Sequence, residues 1–257
     1  MTPRELRAAA PKPASALPYL RLMIEYRKAL ARAIARDLSV SLRADDQTVI
    51  ISRFANLETS IGRMTHSSEL AAKLKAIAEG VQEHVKGELA EVHRVEISPA
   101  QRAQSDAFVQ ENVRLIKKMS YEQVTRMRNL TAQSVQEQWT QKELKAKIQE
   151  DFGFSKARSE LIARDQTLRF NSETREQISK EAGITRGKWL TSEDERVRGT
   201  PGGKWPRGEH YHLNGQMFDF NNPPIVDKKT GRRALPGRDF QCRCTWVDDT
   251  DHLLFGD

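Results

Sequence analysis

Apolar residues recur at helical spacing through the first third of the chain. Leu20, Met23, Ile24, Leu30, Ile34 and Leu38 fall on one side of a helical period, with arginines elsewhere. Phe54, Leu57, Ile61 and Met64 repeat the spacing, and Leu70, Leu74, Ile77, Val81 and Val85 do so again. Stripes of this kind predict core-facing sides of helices. Beyond residue 97, start signals carry the prediction instead. In SPAQ (98–101), SYEQ (120–123) and TQKE (140–143), a hydroxyl can accept from an orphan backbone N–H while Glu or Gln reaches back to the cap. They predict helices near 99–118, 121–136 and 141–150. Ser155 predicts the cap of a longer helix running to about Ala182, stopped by Gly183.

After Gly183 the helical period disappears, and tryptophan, glycine and proline become frequent. KWLTS (188–192), QMFDF (216–220) and QCRCTWV (241–247) read as short strands between Gly/Pro-rich turns. The predicted class is α+β, a mainly helical N-terminal part followed by a small α+β C-terminal domain with a short antiparallel sheet. The expected layout is a flexible basic arm over 1–19, a helical region over 20–97, and a domain over 98–257. That domain places helices in 98–183 and the sheet in 186–247. No internal repeat is visible.

Composition narrows the partners. The chain has 257 residues and a net charge of +7, and residues 1–43 hold nine Lys or Arg against three acids, nearly the whole excess. Such an arm can bind phosphate backbones by counterion release, or can be a solvated helix face. No apolar run approaches the ~20 residues that span a bilayer, so no membrane partner is expected. The N-terminal MTPRELRAAAPKPAS lacks the apolar core of a secretory leader. A reducing compartment is therefore expected, where disulfides are disfavoured.

That expectation sharpens the meaning of the two cysteines, Cys242 and Cys244, which stand one residue apart in PGRDFQCRCTW. On a strand, residues two apart face the same way, so the sulfurs would sit side by side. Both can be small buried hydrophobes, or both can be thiolate ligands of one metal, zinc above all. Half of a four-ligand set must then come from elsewhere. His210 or His212 can add a nitrogen, and Asp194 or Glu195 an oxygen. Other chemistry is missing. GTPGGKW (199–205) lacks the spacing and the Ser/Thr of a phosphate loop, and no nucleophile elbow, zinc-protease helix or dinucleotide fingerprint occurs. DDTD (248–251) is too short for a calcium loop, and the four tryptophans are too scattered for a base-stacking platform.

The ordered motifs W-x-T-S-x-D-x-R-V-R, H-x-x-L-N-G and C-R-C, preceded by ARSELIARDQTLRFNSETREQ (157–177), resemble the phage head morphogenesis family of Mu F-like minor head proteins. The matching positions include Trp189, Thr191, Asp194, Arg198, His210, Asn214, Gly215, Gly237, Cys242, Arg243 and Cys244. Of the two histidines, His210 holds the motif position. The chain departs from the pattern at Asp165-Gln166, where Thr-Glu is usual, and in an insert, GTPGGKWPRGE (199–209), between Arg198 and His210.

The resemblance implies a low-copy minor capsid protein of a tailed bacteriophage, in the host cytoplasm during assembly and then inside the virion head. The portal protein is the expected partner, with major capsid or scaffolding protein and phage DNA as further contacts. It implies no enzyme, but a structural zinc site, with Cys242, Cys244, His210 and Asp194 as the candidate ligands, or a polar knot of the cysteines and histidine that staples the domain. The competing expectation is a co-packaged metal-dependent hydrolase or nuclease, with water on the metal and Glu195 or Glu209 as base. A stand-alone nucleic-acid-binding regulator has only the basic helix 21–36 in its favour, since no helix-turn-helix pattern emerges.

Overall fold

A computed structural model describes residues 14–41, 47–89, 97–137 and 139–250. The basic arm up to residue 13 and Asp251 of DDTD lie outside them, as do the side chains of Leu38, Phe54 and Ser155. Five long helices come first: α1 (Leu17–Ser41), α2 (Gln47–Thr65), α3 (Ser68–Leu89), α4 (Pro99–Gln136) and α5 (Gln141–Glu181). Strand β1 (Arg186–Leu190), the one-turn helix α6 (His210–Leu213), and strands β2 (Met217–Asp219), β3 (Ile225–Asp227), β4 (Arg232–Arg233) and β5 (Thr245–Asp248) follow. The class is α+β, as expected. No helix among the described residues is long and apolar enough to cross a membrane.

The residues group into two compact units. The helical unit comprises Leu17–Ile77 and Ser105–Ala163; the C-terminal unit comprises Ala78–Gln104 and Arg164 onward, with the described residues before Leu17.

In the helical unit, α1 packs against α2. Leu30, Ile34, Leu57, Ile61, Val124 and Met127 form its core, so the predicted stripes face inward. Tyr19 is fully buried, and its hydroxyl donates to Asn112 Oδ1 at 2.5 Å. Two of the predicted helix starts are real. Ser98 Oγ accepts from the Gln101 N–H at 3.1 Å, and Thr140 and Glu143 form a reciprocal capping box. The start predicted at Ser120 is not: α4 runs through it, and the buried Ser120 hydroxyl donates back to the Ile116 carbonyl at 2.7 Å. Nor does a helix begin at Ser155, because α5 is continuous from Gln141. A cap motif marks a start only where the upstream backbone leaves the helix, and no Gly or Pro interrupts residues 100–136.

In the C-terminal unit, β2-β1-β5 form a three-stranded antiparallel sheet, with Trp189 opposite Trp246 and Lys188 opposite Met217. The strands sit slightly off the predicted segments, and a second, two-stranded sheet of β3 and β4 was not expected from the charged sequence around it. Ile184, Trp189, Phe218, Phe220, Val226, Leu235 and Trp246 build an aromatic-rich core that also holds both cysteines. Beside it, the buried Arg175 guanidinium lies between Glu88 (3.7 Å) and Asp248 (3.8 Å) and 5.4 Å from the centre of the Trp246 ring.

Candidate metal centre

The segment carrying the cysteines is not a strand. Residues 236–241 form turns, and the Cys242 N–H is committed to the Asp239 carbonyl at 2.9 Å, so ladder pairing begins only at Thr245. The turn sits directly on the second half of α5. Ser172 Oγ donates to the Pro236 carbonyl at 2.6 Å. Gly237 has φ +81°, and a Cβ there would stand 3.1 Å from the Ser172 side chain. Gln241 adopts φ +55°, and its N–H is held by Asp165 Oδ1 at 2.7 Å. Asp165, one of the two departures from the family pattern, is thus an anchor of the cysteine turn. Arg164 grips the Gln241 side chain, and Arg238 pairs with Glu176.

His210 opens α6, and the eleven-residue insert does not carry it away from Arg198. The insert is a closed loop. Gly199 donates to the Trp205 carbonyl at 2.8 Å, Lys204 to the Glu195 carbonyl at 3.1 Å, and the Tyr211 N–H to the Arg198 carbonyl at 2.9 Å. Gly199 has φ +84°, and any Cβ there would collide with the carbonyl oxygen of Gly208, so the loop neck requires glycine. On the other side of α6, Asn214 Oδ1 accepts from the Thr191 N–H at 2.9 Å, and the Gly215 N–H donates to the Trp189 carbonyl at 2.8 Å. The Leu-Asn-Gly of the motif ties α6 to the end of β1.

These constraints bring one imidazole and two sulfurs together. His210 Nδ1 lies 3.4 Å from Cys242 Sγ and 3.5 Å from Cys244 Sγ, and all three residues are buried. Their ligand atoms lie within 4.8 Å of one another, and no fourth His, Cys, Asp or Glu joins them among the described residues. Trp189 stands edge-to-face against the imidazole at 5.6 Å. On the far side of the ring, Nε2 lies 3.0 Å from Oδ2 of the buried Asp239. Arg232 approaches Asp239 Oδ1 at 2.5 Å, Arg198 pairs with Oδ2, and the Phe240 N–H donates to Oδ1 at 2.8 Å.

The electrostatics follow. Burial alone would discharge His210, but Asp239 and then Cys242 outweigh it and push its pKa up to about 9. Burial alone would raise the Cys242 thiol; hydrogen bonds from Cys244 and His210 bring it well below its ordinary value. For Asp239 burial again acts upward, and His210, Arg198 and Arg232 overcome it to keep the carboxyl below its usual range. Cys242, His210 and Asp239 thus form one buried hydrogen-bonded chain. Thiol, imidazole and carboxylate stand in the order of a nucleophilic triad, yet Cys242 is only 4 % exposed, which denies a substrate carbonyl access to the sulfur. Two soft sulfurs and one imidazole nitrogen are instead a donor set suited to zinc.

Asp194 stands apart from this cluster. Arg243, between the two cysteines, clamps its carboxylate with two hydrogen bonds of 2.6 Å, and Arg196 donates to it through its N–H at 3.0 Å. These bonds, that to Arg243 above all, hold the Asp194 carboxyl far below the usual carboxylate range. Its place is to brace the loop after β1 against the cysteine turn. Sequence reasoning missed Asp239, Arg232 and the anchoring Asp165. The signal for Asp239 was present: a carboxylate three residues before Cys242, directly after the turn-forming Pro236-Gly237-Arg238.

All of these site residues lie inside one family match. Residues 125–247, just under half of the chain, match the family described as phage Mu protein F like protein. An uncharacterized protein of Haemophilus influenzae is 29% identical over 155 residues, which cover 60% of this chain. The chain spans about a third of that relative, the aligned part being 31% of its length. No solved structure matches significantly.

Proposed function

We propose that this protein is a low-copy minor capsid protein of a tailed bacteriophage that acts in head morphogenesis, associates with the portal inside the head and is not an enzyme. The match over residues 125–247 carries this reading, because it encloses the whole cluster and its braces. The cluster gives the C-terminal unit a means of stability suited to a small core: a structural zinc held by His210, Cys242 and Cys244. In such a unit apolar burial alone is marginal, and a metal offsets the deficit. Zinc would draw its neutral charge balance from the two thiolates, and the burial of all three donors, in place of a closed four-ligand set, would keep a substrate from it. The basic stretch 1–43 is the segment for phage DNA or an acidic face of the portal.

Assembled heads test the reading. The chain is expected to co-purify with portal-containing heads and to be lost from heads lacking portal; its absence from heads of both kinds contradicts the proposal. Changing Arg21, Lys28 and Arg32, exposed on α1, to Gln should weaken DNA binding and flatten its dependence on salt, and an unchanged slope removes the basic stretch from the account. A nuclease assay with added zinc, compared with His210→Ala, addresses the enzymatic alternative; metal-dependent cleavage lost in the variant contradicts the non-enzyme reading.

A further inference from the structure

The reading of His210, Cys242 and Cys244 as a metal centre leaves open which nitrogen of the imidazole donates. Three observations close the question. Nδ1 is the nitrogen that faces both sulfurs, at 3.4 and 3.5 Å. Nε2 faces Asp239 Oδ2 at 3.0 Å. Asp239 is itself 3 % exposed and receives Arg198, Arg232 and the Phe240 N–H, so it is held as a carboxylate and can only accept.

We propose, resting on that reading, that Asp239 is the positioning residue of the metal centre: by accepting the Nε2 proton of His210 it leaves the Nδ1 lone pair bare and aimed between the two sulfurs. A neutral imidazole carries one proton, and an acceptor fixed on Nε2 decides where it sits. His210 Nδ1 and the two sulfurs would hold a divalent cation, and any protons those atoms carry would pass to water. The Nε2 proton stays on the Asp239 side throughout. Arg198 and Arg232 act one step further out. They orient the carboxylate, and through Arg198 they link it to the neck of the 199–209 loop, since the Arg198 carbonyl holds the Tyr211 N–H one residue beyond His210.

Cobalt(II) is the probe, because its thiolate charge-transfer and ligand-field bands report both affinity and donor set. The wild-type full chain is expected to bind one Co(II) with bands of a mixed sulfur–nitrogen site. Asp239→Asn keeps the shape but not the charge, and should bind Co(II) about 10- to 100-fold more weakly, the usual effect of losing such a partner. Asp239→Glu should recover part of the loss. Metal-free circular dichroism of each variant reports whether it folds. Equal Co(II) affinity in wild type and a folded Asp239→Asn overturns the inference while leaving the metal centre intact; no Co(II) binding by the wild type overturns the metal reading itself. If Asp239→Asn does not fold, long-range 1H–15N NMR of the zinc-loaded wild type decides: a proton on Nε2 of His210 agrees, and a proton on Nδ1 overturns it.

Discussion

The helical unit and the C-terminal unit solve the same problem by different means. In the helical unit, stripes of Leu, Ile, Val and Met meet in a core around Leu57, Ile61 and Met127. In the C-terminal unit, the core is aromatic, its strands are two to five residues long, and its turns are held by charged side chains reaching inward. Asp239 alone gathers two arginines, one histidine and a backbone N–H. Apolar packing tolerates many sequences of similar volume, because dispersion and burial are not directional. A polar network is directional, and each member left unpaired in a dry interior costs about 1–3 kcal/mol. The first unit should therefore yield gradually to substitution, and the second abruptly.

Chelation should separate the two most sharply. With a strong zinc chelator, amide exchange is expected to rise across 184–247, while protection around Leu57–Ile61 and Val124–Met127 persists. Structural zinc contributes several kcal/mol or more to a small fold, so this is the largest expected effect. Uniform loss of protection in both units would erase the contrast. Ile61→Ala is the reciprocal change. Ile61 is fully buried, and the truncation should cost about 2–5 kcal/mol in denaturant unfolding with metal content unchanged. Gly199→Ala should come next. Its φ of +84° and the Gly208 carbonyl in the way of a Cβ predict about 1–3 kcal/mol of destabilisation and weaker metal uptake, the loop neck being strained beside Arg198.

The smallest effect is the acid response of the Asp194–Arg243 clamp. The folded pKa of Asp194 is lowered, chiefly by Arg243, so its stabilisation is complete above the unfolded value near ~4 and fades as pH falls below it. The carboxylate is about a third exposed, which limits the contribution to about 1 kcal/mol. Asp194→Asn should lower stability slightly at neutral pH and flatten the acid limb below about pH 4. An acid limb as steep as the wild type's would assign the slope to other carboxylates.

How much of this could be read in the sequence follows the same divide. The stripes of α1 to α3 were legible because burial there is apolar and periodic. The long reach of α4 and α5 was not, since their inward faces carry Gln101, Asn112, Ser120, Thr131, Thr167, Asn171 and Ser179. Buried polar residues hide a helix from any test of hydrophobic period. The caps at Ser98 and Thr140 compensated, and the same pattern at Ser120 misled, because a hydroxyl inside a helix can bond backward to the preceding turn. At the site, spacing alone paired Cys242 with Cys244, and motif position selected His210. The strand invoked to align the sulfurs is absent; a turn anchored by Asp165 and Ser172 aligns them instead. Asp194 was expected near the metal on motif grounds, but a carboxylate facing a fork of two N–H groups 2.6 Å away is already satisfied. No one-dimensional pattern announces that Arg243 points toward it.

The central claim is that two sulfurs and one imidazole hold a metal that fastens the C-terminal unit. Elemental analysis of the purified full chain tests it most directly. One equivalent of zinc per chain, lost when Cys242 and Cys244 are both changed to Ser, is the predicted result; wild-type protein that carries no zinc and takes up none, yet keeps residues 184–247 protected from exchange, contradicts it.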